Sequence, residues 1–243
     1  MSASLPRRLS SERLDQLPCD DPLAIRARLD LRRVNRLMGS ASLISRAFQR
    51  HIKLASHSRG RRPLRIIEIG AGDGTLMLRL AQRFAACWPA VHLSLLDRQN
   101  VVSMATQNGF ERLGWQVDVL RVDLHDWMAS PVPKQWDIAL ANLFVHHFDS
   151  SQIAALFGTL AQCTDWFMAC EPRRGPGPLF ASRLLGLLGA CAVTREDAVL
   201  SVKAGFSGTE LSELWPRPLS QWVVQEGAAG LFSHTFIASR QSG

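Results

Sequence analysis

Residues 64–80 read LRIIEIGAGDGTLMLRL. An apolar run leads into three glycines that alternate with Ala71 and Asp73, and a second apolar run with helical spacing follows. A strand that turns sharply into a helix has this form. Gly70 permits the turn, and Gly72 lets a ligand approach the backbone with no side chain in the way. The third glycine is Gly74, whereas the GxGxxG loop that seats a pyrophosphate would place it at 75, which is Thr75. Glu68 before the loop and Asp73 inside it would repel a pyrophosphate and suit a cationic group or hydroxyl donors.

Outward from this loop the pattern alternates. Apolar runs at 64–69, 91–96, 117–122, 136–141 and 166–170 read as strands, with helical patterns at 75–86, about 99–109 and 150–162 between them. This alternation predicts an α/β protein, a Rossmann-like doubly wound sheet with helices on both faces. Two last runs, 220–226 and 231–239, are too closely spaced for a parallel crossover and predict a hairpin with a reversed last strand, for about seven strands in all. Residues 1–62 read as an N-terminal helical extension and 63–243 as the main domain, with a helical lid insert at about 176–215. Within the extension, 1–21 read as a mobile polar lead-in. A helix then starts at Asp21, with Pro22 in its first turn and Gly39 past its end. Leu23, Leu29, Val34, Leu37 and Met38 share much of one face. A second helix spans 42–55, and SRGRRP (58–63) is the linker.

The net charge of +7 is uneven: residues 1–65 hold 15 of the 28 basic and 5 of the 21 acidic side chains. A basic segment of this kind can meet nucleic acid or anionic lipid, but it is read first as a solvated Arg-rich helical face, since a charge pattern reports solubility more than function. Five scattered cysteines form no CxxC pair and lack a His cluster, so no metal is expected. With no apolar run long enough to span a membrane and no apolar signal core in MSASLPRRLSSERLD, the chain is expected to be cytoplasmic.

The run hhEhGxGxG, with h apolar, resembles the first signature of the class I S-adenosylmethionine-dependent methyltransferases, and the likeness extends from about residue 64 onward. It implies S-adenosylmethionine as cofactor and S-adenosylhomocysteine as product. Glu68, Gly70, Ala71 and Gly72 then form the cofactor loop. Asp97, which ends HLSLLD, falls where the family places an acidic residue on the ribose hydroxyls, and Arg98 after it is counted with the cofactor-binding residues. Asp123 and Leu124 fall at the adenine, and Asn142, ending WDIALAN, falls beside the methionine moiety and the acceptor.

Methyl transfer from a sulfonium asks the protein mainly to position the acceptor and, where needed, to remove its proton. In ANLFVHHFDSSQI, either His146 or His147 could be that base, as a neutral imidazole. Glu171, Arg173 and Arg174 follow the fifth strand and could orient a polar acceptor. The run from Asp197 to Leu211 (DA..S...GF...EL) resembles the lid of small-molecule methyltransferases of bacterial quinone and polyketide-phenol pathways. Asp197 is there a base, a partner of the substrate, or a residue that caps its own helix with Thr194. In the leading helix, the same resemblance implies that Arg33 or Asn35 touches the cofactor. The stretch 179–193 favours an aromatic or apolar acceptor, with Phe144, Phe148, Phe180 or Phe206 supplying aromatic contacts. The leading expectation is therefore O-methylation of a phenolic or quinone-like molecule. The alternatives are C-methylation, a nucleic-acid methyltransferase, disfavoured by ANLF at the fourth strand, and a cofactor binder without turnover. Homo-oligomerisation stays open.

Overall fold

Ile66 and Ile67 are consecutive, both fully buried, and belong to opposite faces of the sheet. A strand covered on both sides needs this continuous apolar run, which explains why 64–69 lacks alternation. The computed structural model describes residues 5–55, 62–86, 88, 90–130 and 135–241. The strands are β1 (Leu64–Ile69), β2 (Val91–Asp97), β3 (Trp115–Arg121), β4 (Ile138–Asn142), β5 (Trp166–Pro172), β6 (Trp222–Ala229) and β7 (Ser233–Arg240). They form one seven-stranded sheet in the order β3-β2-β1-β4-β5-β7-β6. The first five run parallel, and β7 inserts antiparallel between β5 and β6. This is the expected doubly wound sheet with its last strand reversed.

The helices are α1 (Pro22–Met38), α2 (Ser40–Ala55), α3 (Thr75–Phe84), α4 (Met104–Glu111), α5 (Leu124–Ala129), α6 (Ser150–Cys163), α7 (Pro176–Arg183) and α8 (Ala192–Ala204). One face of the sheet packs Phe157, Phe167, Trp215 and Phe236, and the other packs Met77, Leu80, Phe110, Ile44 and Phe48. The last two come from α2. The α1 boundaries are those the sequence predicts: Asp21 accepts from the Leu23 amide, Pro22 opens the helix, and Gly39 closes it at φ 70°.

Four expectations need correction. α5 had no periodic signal because six residues make less than two turns. Asp123 starts it by accepting from the His125 amide. The inward face of α1 is Ala24, Ala27 and Asp30, whereas Leu23, Leu29 and Leu37 are exposed, because α1 lies close enough to its neighbours that only small side chains fit beneath it. The third and fourth strands begin two residues away from their expected starts; Trp136 makes only an isolated bridge and Asp137 turns its carboxylate to Arg62 and to the Arg65 amide. Finally, residues 5–21 are strapped along the domain. Arg7 stacks on Phe206 at 4.5 Å and donates to the carbonyls of Ala204, His146 and Phe148. The 58–61 part of the expected linker and Cys87 lie outside the described residues.

Candidate active site

The chain leaves β1 toward β2 on one side and enters β4 on the other, so the carboxyl ends of β1 and β4 diverge into a crevice. The glycine loop fills its floor. Gly70 has φ 69°, and a Cβ there would stand 2.1 Å from the Phe144 ring. Only glycine fits. Gly72, at φ 55°, would point a Cβ into open space, which leaves its backbone bare toward the cavity.

Asp73 then decides which anion this loop accepts. Its Oδ1 takes the Thr75 amide and hydroxyl at the start of α3, and its Oδ2 pairs with Arg32 at 2.6 Å. A carboxylate therefore holds the helix N-terminus that a dinucleotide loop offers to pyrophosphate. Behind the loop, Glu68 is buried and its Oε2 makes no hydrogen bond. Burial, reinforced by the charges of Asp73 and Asp97, raises its carboxyl well above the usual range. An unpartnered carboxyl in this position lacks a cationic or donor group.

Asp97 ends β2 with one oxygen on the Gly72 amide at 2.8 Å and the other on the Gln99 amide at 2.8 Å. Each oxygen retains a lone pair for a hydroxyl. Asp97, Asp123, Leu124, Ala71 and Asn142 all line one cavity of about 720 Å³ together with Glu68. Asn142 donates to Asn35 Oδ1 at 3.2 Å and keeps its own buried Oδ1 unbonded. Arg33 does not join them; it pairs with Asp30 at 3.1 Å. Arg98 reaches the same cavity but spends its guanidinium on Asp15, through the carbonyl at 2.9 Å and the carboxylate at 3.4 Å. It fastens the strap while it lines the cavity.

The strap supplies the residue that sequence reading misses. Glu12 projects inward, where Ser201 donates to its Oε1 and His146 Nε2 faces it at 3.3 Å. No local signal marks Glu12, because its partners lie 134 and 189 positions away. On the other side of His146, Nδ1 faces Glu171 Oε2 at 2.7 Å. Glu171 also accepts from the Phe144 and Val145 amides, so it braces the turn at 145–147 and does not meet an acceptor.

The adjacent histidines consequently differ in charge. Burial alone would lower the His146 value, but hydrogen bonds to Glu12 and Glu171, with their charges, raise it to about 9. His147 is lowered, first by burial and then by the neighbouring His146 cation. At neutral pH His146 is an imidazolium and His147 a neutral ring. A neutral His146 base is thus corrected by its two carboxylate neighbours. Glu12, His146 and His147 bring ligand atoms within 4.8 Å of one another, close enough to hold a metal ion. With both nitrogens of His146 facing carboxylates, a proton already completes that cluster.

A second cavity of about 320 Å³ adjoins the first, walled by α1, α7 and α8 with Val34, Met38, Leu185 and Val202 among its apolar lining. Glu12, Leu14, Leu31, Leu143 and Ser201 line both. Leu143 stands at this junction with φ 52°, a strained conformation for a non-glycine residue. Asp197 lies in the wall of the second cavity, where it accepts from the Arg13 and Leu14 amides at 2.8 and 2.9 Å. It ties strap to lid; Cys191, not Thr194, precedes its helix, without a side-chain cap, and Thr194 turns to Asp30. Arg174 is likewise structural, bonded to Glu210, Ser207 and the Leu5 carbonyl. Of the aromatic candidates, Phe144 and Phe148 line the first cavity, Phe206 is core beneath Arg7, and Phe180 faces solvent.

No family model matches the chain, and no curated protein matches it. Solved structures do. The chain is similar to the plantazolicin methyltransferase BpumL in complex with a monoazolic desmethylPZN analog and SAH, at 14% identity and TM-score 0.60 over 88% of this chain and 90% of that one. It is also similar to magnesium protoporphyrin IX methyltransferase (ChlM) from Synechocystis with bound SAH, at 14% identity and TM-score 0.50 over 94% and 91%. It spans 53% of the pyocyanin biosynthetic protein PhzM. The fold is accordingly the Rossmann-like fold of S-adenosylmethionine-dependent methyltransferases, as the glycine loop led us to expect.

Proposed function

We propose that the protein is an S-adenosylmethionine-dependent methyltransferase acting on a small aromatic or apolar acceptor that carries a hydroxyl. The observation that carries this reading is the junction of two unlike cavities, one edged by unpaired acceptors and one apolar. When bound, S-adenosylmethionine supplies a methyl group already activated on a sulfonium, and S-adenosylhomocysteine is the product. Glu68 suits the cationic amine end, Asp97 the ribose hydroxyls, and Asp123 with Leu124 the adenine. Gly70, Ala71 and Gly72 shape the floor, and Asn142, its Oδ1 unbonded, suits the methionine end.

The apolar cavity holds the ring or chain of the acceptor so that its hydroxyl reaches the junction. There Glu12 and a ring nitrogen of His147 stand no more than 4.8 Å apart, a gap one hydroxyl can bridge. His147, the neutral ring, accepts the proton; Glu12 orients the hydroxyl; His146 holds Glu12 in place.

Calorimetry with S-adenosylmethionine and S-adenosylhomocysteine, followed by labelled-methyl transfer to a panel of alkylphenols, hydroquinones and polyphenols, tests the proposal. Saturable binding and transfer to oxygen are expected. Failure to bind either cofactor form overturns it, and binding with no transfer to any member of the panel would leave a cofactor binder without this acceptor class.

A further inference from the structure

The second cavity opens onto an unusual surface. Leu37 and Leu188 line the cavity yet are 60% and 62% exposed, so they form its mouth. Beside them, Leu187 is 83% exposed and Phe180 64%. Leu184 and Leu29 are exposed too. Six large apolar side chains from 180–188 and α1 therefore meet water, Leu37 and Leu188 at the opening itself, more than scattered surface hydrophobics explain.

The exposed charges on the two segments that carry these side chains have one sign. Segments 22–38 and 176–191 contain six arginines and one acidic residue, Asp30. Asp30 is buried, bonded to the Cys191 amide at 2.8 Å and shared by Arg26 and Arg33. Arg28 and Arg32 turn inward to Gln99 and Asp73. Arg26, Arg33, Arg36 and Arg183 are left exposed among the leucines. The two segments form one surface, since Arg26 donates to the Gly189 carbonyl at 3.4 Å across their seam.

We propose that this face docks on an anionic lipid surface, with Phe180 and Leu187 inserted among the acyl chains and the exposed arginines on the headgroups. An apolar patch ringed by arginine is what an interface of anionic heads over hydrocarbon recognises. A second copy of the chain fits less well, because an isologous contact would set each arginine cluster against its own image. Among the described residues no helix is long and apolar enough to cross a membrane, so this is attachment from one side. The mouth between Leu37 and Leu188 then faces the bilayer, and a membrane-dissolved acceptor enters the second cavity without crossing water. That last step rests on the acceptor reading above; the docking does not.

Flotation of the purified full chain with phosphatidylcholine vesicles, with or without phosphatidylglycerol, measures docking without cofactor or turnover. The protein should float with the anionic vesicles, stay behind with phosphatidylcholine alone, and detach as salt rises. Phe180→Asp combined with Leu187→Asp should weaken binding about tenfold or more, with melting temperature and S-adenosylhomocysteine binding unchanged. Should that variant not fold, Arg33→Gln with Arg36→Gln tests the same face through a weaker, less salt-dependent association. No flotation of the wild-type chain, equal flotation with neutral vesicles, or wild-type flotation by both variants overturns the proposal. So does sedimentation showing a dimer that the Phe180 and Leu187 substitutions break while vesicles are ignored.

Discussion

Glu68 and the two histidines show how neighbours set the charge of a side chain. Glu68, its carboxyl raised well above the usual range first by burial and then by Asp73 and Asp97, should ionise more readily when a cationic amine arrives beside it. Cofactor binding is then expected to be linked to proton release, seen as a dependence of calorimetric heat on buffer ionisation enthalpy. Glu68→Gln should remove that dependence and weaken binding. His147 and His146 make opposite predictions for the acid limb of activity. With His147 as base, kcat/KM rises through a value below 6.5 and is level around neutrality. Were His146 the base, the rise would continue to about 9. A pH–rate profile distinguishes them, and His147→Ala should lower kcat by roughly 10²–10⁴ with little change in KM.

The strap is the element that completes the site, and it is held by single side chains rather than by a core. Arg7, Glu12, Arg13 and Leu14 attach it to α8 and to the turn at 145–147. The His146 contact makes this attachment pH-dependent, with a defined sign. Its folded value lies near 9 against an ordinary 6.5, so its stabilisation is complete below 6.5 and is lost as pH climbs to 9. The effect, shared between Glu12 of the strap and Glu171 of β5, is on the order of 3 kcal/mol. Thermal melts of wild type and His146→Gln across this range should converge as pH rises; curves that stay parallel would detach His146 from the strap. This element was not legible beforehand. Each of its contacts joins residues far apart in sequence, and a polar segment without periodicity gives no sign of its partners. Asp197 shows the same limit: its position in a lid-like run was visible, but its use, on two backbone amides of the strap, was not.

At the scale of the molecule, strap, α1, glycine loop and lid all touch one ligand volume, so occupying it should stabilise the whole chain. S-adenosylhomocysteine at one hundred times its Kd should add about 2.7 kcal/mol, raising the melting temperature by roughly 5–10 °C for a chain of this size. Scanning calorimetry measures this; no shift would mean the first cavity is not the cofactor's. The sheet, its reversed last strand, the glycine loop and the acidic strand ends at Asp97 and Asp123 were determined by the sequence itself. Each is a short-range pattern, an apolar period or a residue type at a strand end, that survives whatever packs around it. The tertiary structure alone decided which histidine is charged, that Glu12 enters the site, that Arg98 and Asp197 fasten the strap, and where the second cavity opens. Those depend on distances between remote segments, and no local period encodes a distance. The run at 64–80 thus specifies the floor of the first cavity, while the strap, α1 and the lid, remote in sequence, fold over it and wall the second.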